Sequence, residues 1–148
     1  MAGGPDAPQG FRYRRRVHFA ETDLAGIAHF STFFRYMEEA EHALWRAAGL
    51  SIARAGEETG WPRVAAAFEF KAPLRFEEEF EVAVRIEKVS KRSIQYAFTI
   101  TRGDTRIGQG TMTAVHVRYG PDGAVTPIDL PSDIVARLQQ VVRRTLPS

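Results

Sequence analysis

Hydrophobic and polar residues alternate along the segment from Phe11 to Phe19, where the patterned part of the chain begins. The two sides of this alternation are Phe11, Tyr13, Val17 and Phe19 on one, and Arg12, Arg14, Arg16 and His18 on the other. A period of two residues is typical of a half-buried β-strand, because successive side chains point to opposite faces. The pattern therefore predicts a first strand over 11–19.

A helical period follows from Phe30 to Ala48. The apolar positions that make its stripe are Phe33, Phe34, Met37, Ala40, Leu44 and Ala47. Their spacing predicts one long amphipathic helix with a single buried face. Ser31 or Thr32 is expected to cap its start, and Gly49 to supply the left-handed residue after its end. A second short helix is predicted from Ser51 to Gly60.

Beyond Trp61 the chain alternates again, which predicts a run of strands. The predicted strands are Val64 to Phe70, Phe80 to Glu87, Ile94 to Ile100 and Ile107 to Tyr119, followed by a terminal helix from Asp133 to Arg144. Consecutive strands without intervening helices favour an antiparallel sheet. The fold class is therefore predicted as α+β, with a curved sheet wrapped around one long helix and a short C-terminal helix.

Composition places the chain among ordinary globular proteins. Its 148 residues, 44% of them hydrophobic, suit one domain, which we assign to 11–148. Residues 1–10 are rich in Pro and Gly and lack the apolar stretch of a secretory signal, so we interpret them as a disordered leader. No apolar run approaches eighteen residues, so no membrane span is expected. The absence of cysteine removes thiol and thiolate chemistry and fits the cytoplasm.

Charge gives little support for nucleic-acid binding. The net charge is only +2, whereas such proteins carry a larger and more continuous basic excess. The four histidines, His18, His29, His42 and His116, have no spacing that suits a metal site, and no phosphate-binding glycine loop is present. We therefore expect no metal and no cofactor. Local basic patches on a nearly neutral chain suit a phosphorylated small molecule.

The break between the first strand and the long helix holds the best candidate for catalysis. Asp23 lies there among apolar neighbours, shortly before the start of a helix. Unpaired N–H groups at a helix start carry partial positive charge and can stabilise an oxyanion. A nearby carboxylate can activate water or attack a carbonyl itself. The alternative is that Asp23 only forms a turn in the loop, as Asp residues often do.

The stretch from Val17 to Gly49 resembles the hotdog-fold acyl-CoA thioesterases of the 4-hydroxybenzoyl-CoA thioesterase-like branch. In that branch a strand ending in an aromatic residue is followed by Thr-Asp, two residues, Gly-Ile or Gly-Val, an aromatic residue or His, and a long amphipathic helix. The matching residues in this chain are Phe19, Thr22, Asp23, Gly26, Ile27, His29 and Phe30. This resemblance implies a hotdog fold with a five-stranded antiparallel sheet.

The resemblance also implies roles for individual residues. Asp23 would be the catalytic carboxylate, and the backbone N–H of Phe30 would polarise the substrate carbonyl. Gly26, Ile27 and His29 would line the substrate. Many relatives have a histidine where this chain has Phe30, and because His29 comes one residue earlier, a polar role within the loop is an alternative for it.

The turn formed by Lys91, Arg92 and Ser93 resembles the basic turn that contacts CoA phosphates in this family. Lysine and arginine suit phosphate oxygens, although a polar hairpin tip would have the same composition. Relatives assemble as homodimers or homotetramers with sites at subunit boundaries, which implies a homo-oligomer here. Glu38 and Glu39 are interpreted as solvated or ion-paired helix residues. His116 is interpreted as structural.

The function expected from this resemblance is hydrolysis of an acyl-CoA thioester to a carboxylic acid and CoA, with Asp23 as general base or nucleophile. Two alternatives use the same fold. A thioesterase for acyl-carrier protein would need an extended basic docking surface, which Arg12 to Arg16 could supply. A non-catalytic acyl-CoA-binding module would bind without turnover, and Asp23 argues against it.

Overall fold

A computed structural model describes residues 9–144 of the chain, so most of the leader predicted at 1–10 lies outside the described residues. The elements are two helices and eight strands: β1 (Phe11–Arg16), α1 (Thr32–Ala47), β2 (Thr59–Gly60), β3 (Arg63–Phe70), β4 (Glu79–Val89), β5 (Ser93–Arg102), β6 (Thr105–Val115), β7 (Val117–Tyr119), β8 (Val125–Pro127) and α2 (Ser132–Arg144). Neither helix in this part of the chain is long and apolar enough to cross a membrane.

Five strands form one antiparallel sheet in the order β1-β4-β5-β6-β3, which confirms the predicted α+β class and the five-stranded sheet. Strands β4, β5 and β6 follow one another as hairpins, whereas β3 pairs with β6 at one edge and β1 with β4 at the other. The short strands β2, β7 and β8 form a second sheet. Within the described chain, β1 and β3 are therefore the two edges of the main sheet.

The core lies between α1 and one face of the main sheet, which we call the inner face. The predicted stripe is confirmed in part: Phe33, Met37, Ala40 and Leu44 are buried, whereas Phe34 is half-buried and Ala47 is exposed. The facing strands contribute alternate apolar residues: Phe80, Val82, Val84, Ile94, Tyr96, Phe98, Ile100, Met112 and Ala114. Burial of this apolar surface is the main force that fixes the helix on the sheet.

Two glycines of β6 allow close packing on the inner face. A Cβ at Gly110 would lie 2.8 Å from the sulfur of Met37 on α1 and 2.5 Å from a backbone oxygen of β3. At Gly108 it would lie 2.5 Å from the ring of Phe68. These distances are far below a normal contact, so only glycine permits the observed approach of helix, ring and strand.

The helix predicted from Ser51 to Gly60 is wrong. Residues 51–58 form turns and bends, and Thr59 and Gly60 pair with β7 instead. Gly56 has a φ of 84°, which a right-handed helix cannot accommodate. Ile52 is the only residue of this segment that packs partly against the core, so a helix here would lack an apolar face to bury.

Two predicted strands end earlier than expected. The first strand ends at Arg16, and Phe19 enters a 3-10 turn where its side chain is 74% exposed rather than inward. The last strand is interrupted at His116, whose N–H bonds to the Arg92 carbonyl while Val115 bonds to Pro62. Because the backbone N–H groups at this point bond to loop carbonyls, the pairing of the main sheet stops, and the chain continues as β7 in the second sheet.

Candidate active site

The loop between β1 and α1 forms a narrow hairpin from Thr22 to Ala28. Thr22 and Ala28 face each other across an isolated bridge, and the Asp23 N–H donates to the Ile27 carbonyl at 2.9 Å. Gly26 closes the hairpin by donating to the Asp23 carbonyl at 2.9 Å, with a φ of 78° that favours glycine. No atom lies within 4 Å of the position a Gly26 Cβ would take, so the hairpin tip is open.

One of the two carboxylate oxygens of Asp23 accepts a hydrogen bond within the hairpin. Its Oδ1 accepts a hydrogen bond from the Ala25 N–H at 2.9 Å, which is the turn-forming role that the sequence left as an alternative. None of the ion pairs among residues 9–144 includes Asp23, and its side chain is only partly buried. The second oxygen therefore remains free to take a proton or to attack an electrophile.

The start of α1 presents a backbone donor close to this hairpin in the chain. The N–H groups of Ala28 and His29 donate to the carbonyls of Leu74 and Glu21, at 2.7 and 2.8 Å. Between His29 and Ser31, the N–H of Phe30 meets no acceptor within the described residues. A donor left open at a helix start is suited to polarise a carbonyl oxygen.

His29 caps the helix start. Its Nδ1 lies 2.8 Å from the Ser31 hydroxyl and accepts the Ser31 N–H at 3.3 Å. Ser31 is the N-cap residue of α1, as one of the two predicted positions, but its side chain makes no capping hydrogen bond, and the Thr32 hydroxyl donates to the His29 carbonyl. The ring of His29 lies against the ring of Phe30, with 4.5 Å between centroids. These contacts match the polar loop role that the sequence offered for this residue.

Exposed aromatic and aliphatic side chains surround the Asp23 hairpin. We call Phe19, Leu24, Phe30 and Phe76 the apolar rim. Phe19 packs edge-on against Phe76 with 5.5 Å between ring centroids, and Phe30 is 63% exposed. Clustered exposed apolar residues of this kind mark surfaces that a ligand or another protein covers.

The basic turn Lys91-Arg92-Ser93 lies at the other end of the sheet. It connects β4 to β5, and β5 then runs for ten residues to Arg102, which is roughly 30 Å at the normal rise per residue. Arg102 donates to the Pro73 carbonyl at 2.7 Å, next to Leu74, which holds the Asp23 hairpin. Within one copy of the chain, this turn and Asp23 therefore lie at opposite ends of the sheet.

The outer face of the sheet carries an open cavity of about 620 Å³. Its lining comes from β3, β4, β5 and β6, and includes Ala67, Ala97 and Thr111, with no residue of the Asp23 hairpin.

No group of three or more His, Asp or Glu side chains in residues 9–144 is arranged to hold a metal ion. The groups near the hairpin that are free to react or to bind a substrate are therefore the Asp23 carboxylate and the Phe30 N–H.

Sequence reasoning missed a charged cluster behind the hairpin. Arg15, which the alternation places with the inward residues Tyr13 and Val17, has a side chain only 11% exposed. It binds Glu21 and also Glu39 of α1, so Glu39 is ion-paired rather than directed at a ligand. The signal was available, because a lone arginine at an inward position of a strand must find a partner.

His116 has a structural role in the described chain. It is buried, stacks on Trp61 with 4.5 Å between ring centroids, and its Nδ1 lies 2.9 Å from the Asp129 carbonyl. This position lies at the end of the sheet that carries Arg92, because the His116 N–H bonds to the Arg92 carbonyl.

Comparisons with known proteins agree with this architecture. A family model described as the thioesterase-like superfamily matches residues 17–138. A relative from Aquifex aeolicus (strain VF5) is 33% identical over 112 residues, which cover 74% of this chain and 87% of the relative. A 1,4-dihydroxy-2-naphthoyl-CoA hydrolase from Thermosynechococcus vestitus is 27% identical over 90 residues, covering 60% of this chain and 62% of that protein.

Solved structures extend the match to the fold. The structure of BH1999 gentisyl-coenzyme A thioesterase is similar with a TM-score of 0.76 and 27% identity, over 86% of this chain and 99% of that one. The structure of a protein from Aquifex aeolicus has a TM-score of 0.79 and 29% identity, over 86% and 98%. The hotdog fold is thereby confirmed. This chain belongs to the thioesterase-like superfamily and is a thioester hydrolase.

Proposed function

We propose that this thioester hydrolase acts on acyl-CoA, with Asp23 as its catalytic carboxylate. The observation that carries the proposal is that the loop between β1 and α1 holds two open groups, a carboxylate in the hairpin and a backbone donor two residues after it. Asp23 is without an ion pair in the described chain and keeps one oxygen uncommitted, and the Phe30 N–H has no acceptor there. A thioester needs these two functions, a base or nucleophile and a donor for its carbonyl oxygen.

In the proposed reaction the thioester carbonyl oxygen accepts a hydrogen bond from the Phe30 N–H. Asp23 removes a proton from water, the hydroxide attacks the carbonyl carbon, and the C–S bond then breaks. The proton held by Asp23 passes to the departing CoA thiolate, so that CoA and the acid are released and the carboxylate is restored. In the alternative course the Asp23 carboxylate attacks the carbonyl carbon, the C–S bond breaks with departure of CoA thiolate, and water hydrolyses the resulting anhydride to the acid and free Asp23. The partial positive charge at the start of α1 stabilises the oxyanion in both courses.

Gly26, Ile27 and His29 are proposed to line the reacting thioester. The open space at Gly26 lets the substrate approach the hairpin backbone, and Ile27 is partly exposed beside it. His29 holds the first turn of α1 through Ser31 and thereby aims the neighbouring Phe30 N–H. We propose on this basis that His29 shapes the site and transfers no proton.

A second copy of the chain is proposed to complete the site through the β3 edge. From Val64 to Phe68 this edge strand carries no charge, and Val64 to Ala67 are exposed. An exposed, uncharged edge strand is a template for pairing with another strand. Two β3 strands that pair in antiparallel fashion about a two-fold axis bring the Arg63 end of one copy to the Phe70 end of the other.

That pairing would also bring the basic turn towards the hairpin. The turn Lys91-Arg92-Ser93 lies at the same sheet end as Arg63, whereas Asp23 lies at the end of Phe70. Lys91 and Arg92 of the partner subunit would then face the CoA phosphates of a substrate held at Asp23. Arg92 has a partner in Asp129 at 3.2 Å, an exposed ion pair that a phosphate can replace at low cost.

The charge pattern of β1 favours CoA over an acyl-carrier protein as the thiol carrier. Arg12 and Arg14 both bind Glu81, at 3.0 and 3.1 Å, and Arg16 binds Glu79. These arginines are already compensated by β4, so they do not form the open basic surface that an acidic carrier protein requires.

Substitution of Asp23 by Asn tests the proposal. The amide keeps the Oδ1 contact to Ala25 but can neither take a proton nor attack, so kcat should fall by about 10²- to 10⁴-fold while the unfolding midpoint stays unchanged. Asp122→Asn, in the exposed β7–β8 turn, is the matched control and should retain activity. Wild-type turnover by the Asp23→Asn protein would show that another group performs the reaction.

The acyl group is proposed to be aromatic. Three of the four members of the apolar rim are phenylalanines, and two of the similar proteins act on aromatic acyl-CoA substrates by name, 1,4-dihydroxy-2-naphthoyl-CoA and gentisyl-CoA. A panel of aromatic, short-chain and long-chain acyl-CoA thioesters should give the highest kcat/KM for the aromatic members. A preference for long chains would refute this assignment.

A further inference from the structure

Arg15 occupies an unusual place for a charge, since it lies on the inward side of an edge strand with most of its side chain buried. A guanidinium in such a place is stable only if its donors are satisfied by paired acceptors. Its Nη1 and Nη2 donate to the two oxygens of Glu21 at 2.8 and 2.6 Å. Its Nε and Nη2 donate to Glu39 at 3.0 and 3.1 Å. The forked geometry uses both carboxylates in bidentate fashion.

The same cluster includes an aromatic ring from α1. The Arg15 guanidinium lies over Tyr36 with 5.0 Å to the ring centroid, and the Tyr36 hydroxyl donates to Glu21 at 3.0 Å. Burial alone would raise the pKa of Glu21, but the hydrogen bonds from Arg15, the His18 N–H and Tyr36 outweigh it, so its pKa is lowered. Glu21 is therefore an ionised group held from three sides.

Glu21 also connects the two limbs of the Asp23 hairpin. Its side chain accepts the His18 N–H at 2.8 Å and so closes the 3-10 turn that leads into Thr22 and Asp23. Its backbone carbonyl accepts the His29 N–H at 2.8 Å, on the limb that leads to Phe30. Glu21, two positions before Asp23, thus fixes the position of His29, which directly precedes Phe30.

We propose that Arg15 and Glu21 are positioning residues, which hold the Asp23 carboxylate and the Phe30 N–H at the separation that the reaction needs. This inference rests on the proposed roles of Asp23 and Phe30. The ion pair fixes Glu21 to both β1 and α1, and Glu21 in turn fixes both limbs of the hairpin. A displacement near 1 Å between reacting groups can cost about 10²-fold in rate, so this cluster should act on kcat rather than on binding.

Glu21→Gln is the first test variant. The amide keeps the size of the side chain and the backbone hydrogen bond to His29, but it loses the negative charge that forms the ion pair with Arg15. We expect kcat to fall by about 10- to 100-fold with KM changed less than about three-fold, at a temperature well below the unfolding midpoint. If this variant does not fold, Arg15→Lys replaces it, because lysine keeps the charge but loses the bidentate contacts.

Glu81→Gln is the matched control. Glu81 also binds two arginines from β1, Arg12 and Arg14, but it lies on the outer face without contact to the hairpin. Its kcat should remain at the wild-type value. A wild-type kcat for Glu21→Gln, or an equal loss in Glu81→Gln, would overturn the positioning role.

Parallel measurement of Asp23→Asn separates this inference from the proposed function. If Asp23→Asn is inactive and Glu21→Gln has wild-type kcat, only the positioning role fails. If Asp23→Asn turns over like wild type, the role of Asp23 fails and the positioning role falls with it. Loss of kcat in both variants, with a normal Glu81→Gln protein, supports both.

Discussion

The indole N–H of Trp45 donates a hydrogen bond of 3.0 Å to the hydroxyl of Tyr96, and both side chains are fully buried between α1 and β5. The same hydroxyl interacts with the carboxylate of Glu41, which is also buried and binds Arg63 of the edge strand β3. A polar chain therefore runs through the core from the helix to the sheet edge. Such a chain stabilises a core only while each member keeps its partner.

Removing the hydroxyl of Tyr96 should destabilise the fold. Tyr96→Phe leaves the Trp45 N–H without its acceptor in a site that water does not reach. The expected loss is about 1–3 kcal/mol in the free energy of unfolding, measured by urea titration. Tyr119→Phe on the exposed strand β7 is the control, with a change below about 0.5 kcal/mol. Equal stability of Tyr96→Phe and wild type would contradict the structural role of this bond.

Stability should decrease as pH rises from about 4.5 to 7. Burial raises the pKa of Glu41 to about 7, despite the opposing charge of Arg63. Because the folded state then holds a proton that the unfolded state has lost, the contribution of Glu41 is complete below pH 4.5 and is lost as pH passes 7. Glu41→Gln should flatten this dependence in thermal unfolding followed across that range.

His42 is the group that most directly opposes this trend. Burial lowers the pKa of His42, so its own contribution to stability grows as pH rises towards its ordinary value. The informative quantity is therefore the difference between wild type and Glu41→Gln at each pH. A difference that does not vary between pH 4.5 and 7 would show that folding does not raise the pKa of Glu41.

Glycine should be required at position 110. In Gly110→Ala the new methyl group would lie 2.8 Å from the Met37 sulfur and 2.5 Å from a β3 carbonyl. The helix or the edge strand must move, at a cost of about 1–3 kcal/mol. Gly120→Ala is the control, because its Cβ would meet atoms no closer than 3.4 Å. Chemical denaturation of the two variants compares these costs, and equal midpoints would refute the requirement.

Charges on the β3 edge should separate the copies and remove activity together. Ala65→Lys and Ala67→Lys, made together, would place positive charges from both copies along the proposed strand pairing, and charged side chains block such an edge. Light scattering after size-exclusion chromatography should report a single chain, with kcat/KM reduced in parallel. Lysines at Ala53 and Ala55, which are exposed in the loop before β2, form the control. A monomeric variant with full activity would disprove a shared site.

The basic turn should affect substrate binding only when the substrate carries phosphates. Lys91→Ala is expected to raise KM for acyl-CoA several-fold with kcat unchanged, because a phosphate contact far from the carbonyl contributes to binding alone. For a small thioester that lacks the nucleotide, KM should stay at the wild-type value. Arg85→Ala on the outer sheet face is the control. An equal rise in KM for both substrates would exclude a phosphate contact.

The sequence predicts the elements that carry a strong period and misses those that depend on distant contacts. The alternation of β4 and β5 is confirmed, and the stripe of α1 is confirmed at four of its six positions, because burial against a single partner surface generates both patterns. The segment 51–58 has good helix formers but no surface to pack on, and the pairing of Gly60 with Val117 lies 57 positions along the chain. Local propensity cannot reveal that pairing.

The candidate site divides in the same way. Asp23, Gly26 and Phe30 are predicted as site residues by the family resemblance, and the turn at Gly26 and the helix start after Phe30 are local features that the sequence pattern indicates. Arg15 was visible only as an exception to an alternation, and its partner Glu39 lies 24 residues away. His29 caps the helix start through a contact with Ser31, two positions along the chain, although the Ser31 hydroxyl could have filled that role itself. The spacing of the residues does not show which of the two side chains acts as the cap.

The two edges of the main sheet differ in a way that limits growth. The β1 edge carries Arg12, Arg14 and Arg16, and charged side chains discourage further strand addition there. The β3 edge carries no charge from Val64 to Phe68 and has no such protection over that stretch. In the proposed dimer, where two copies pair through β3, only arginine-bearing edges would face outward. The resulting ten-stranded layer would be self-limiting, and a fibre could not propagate along its hydrogen bonds.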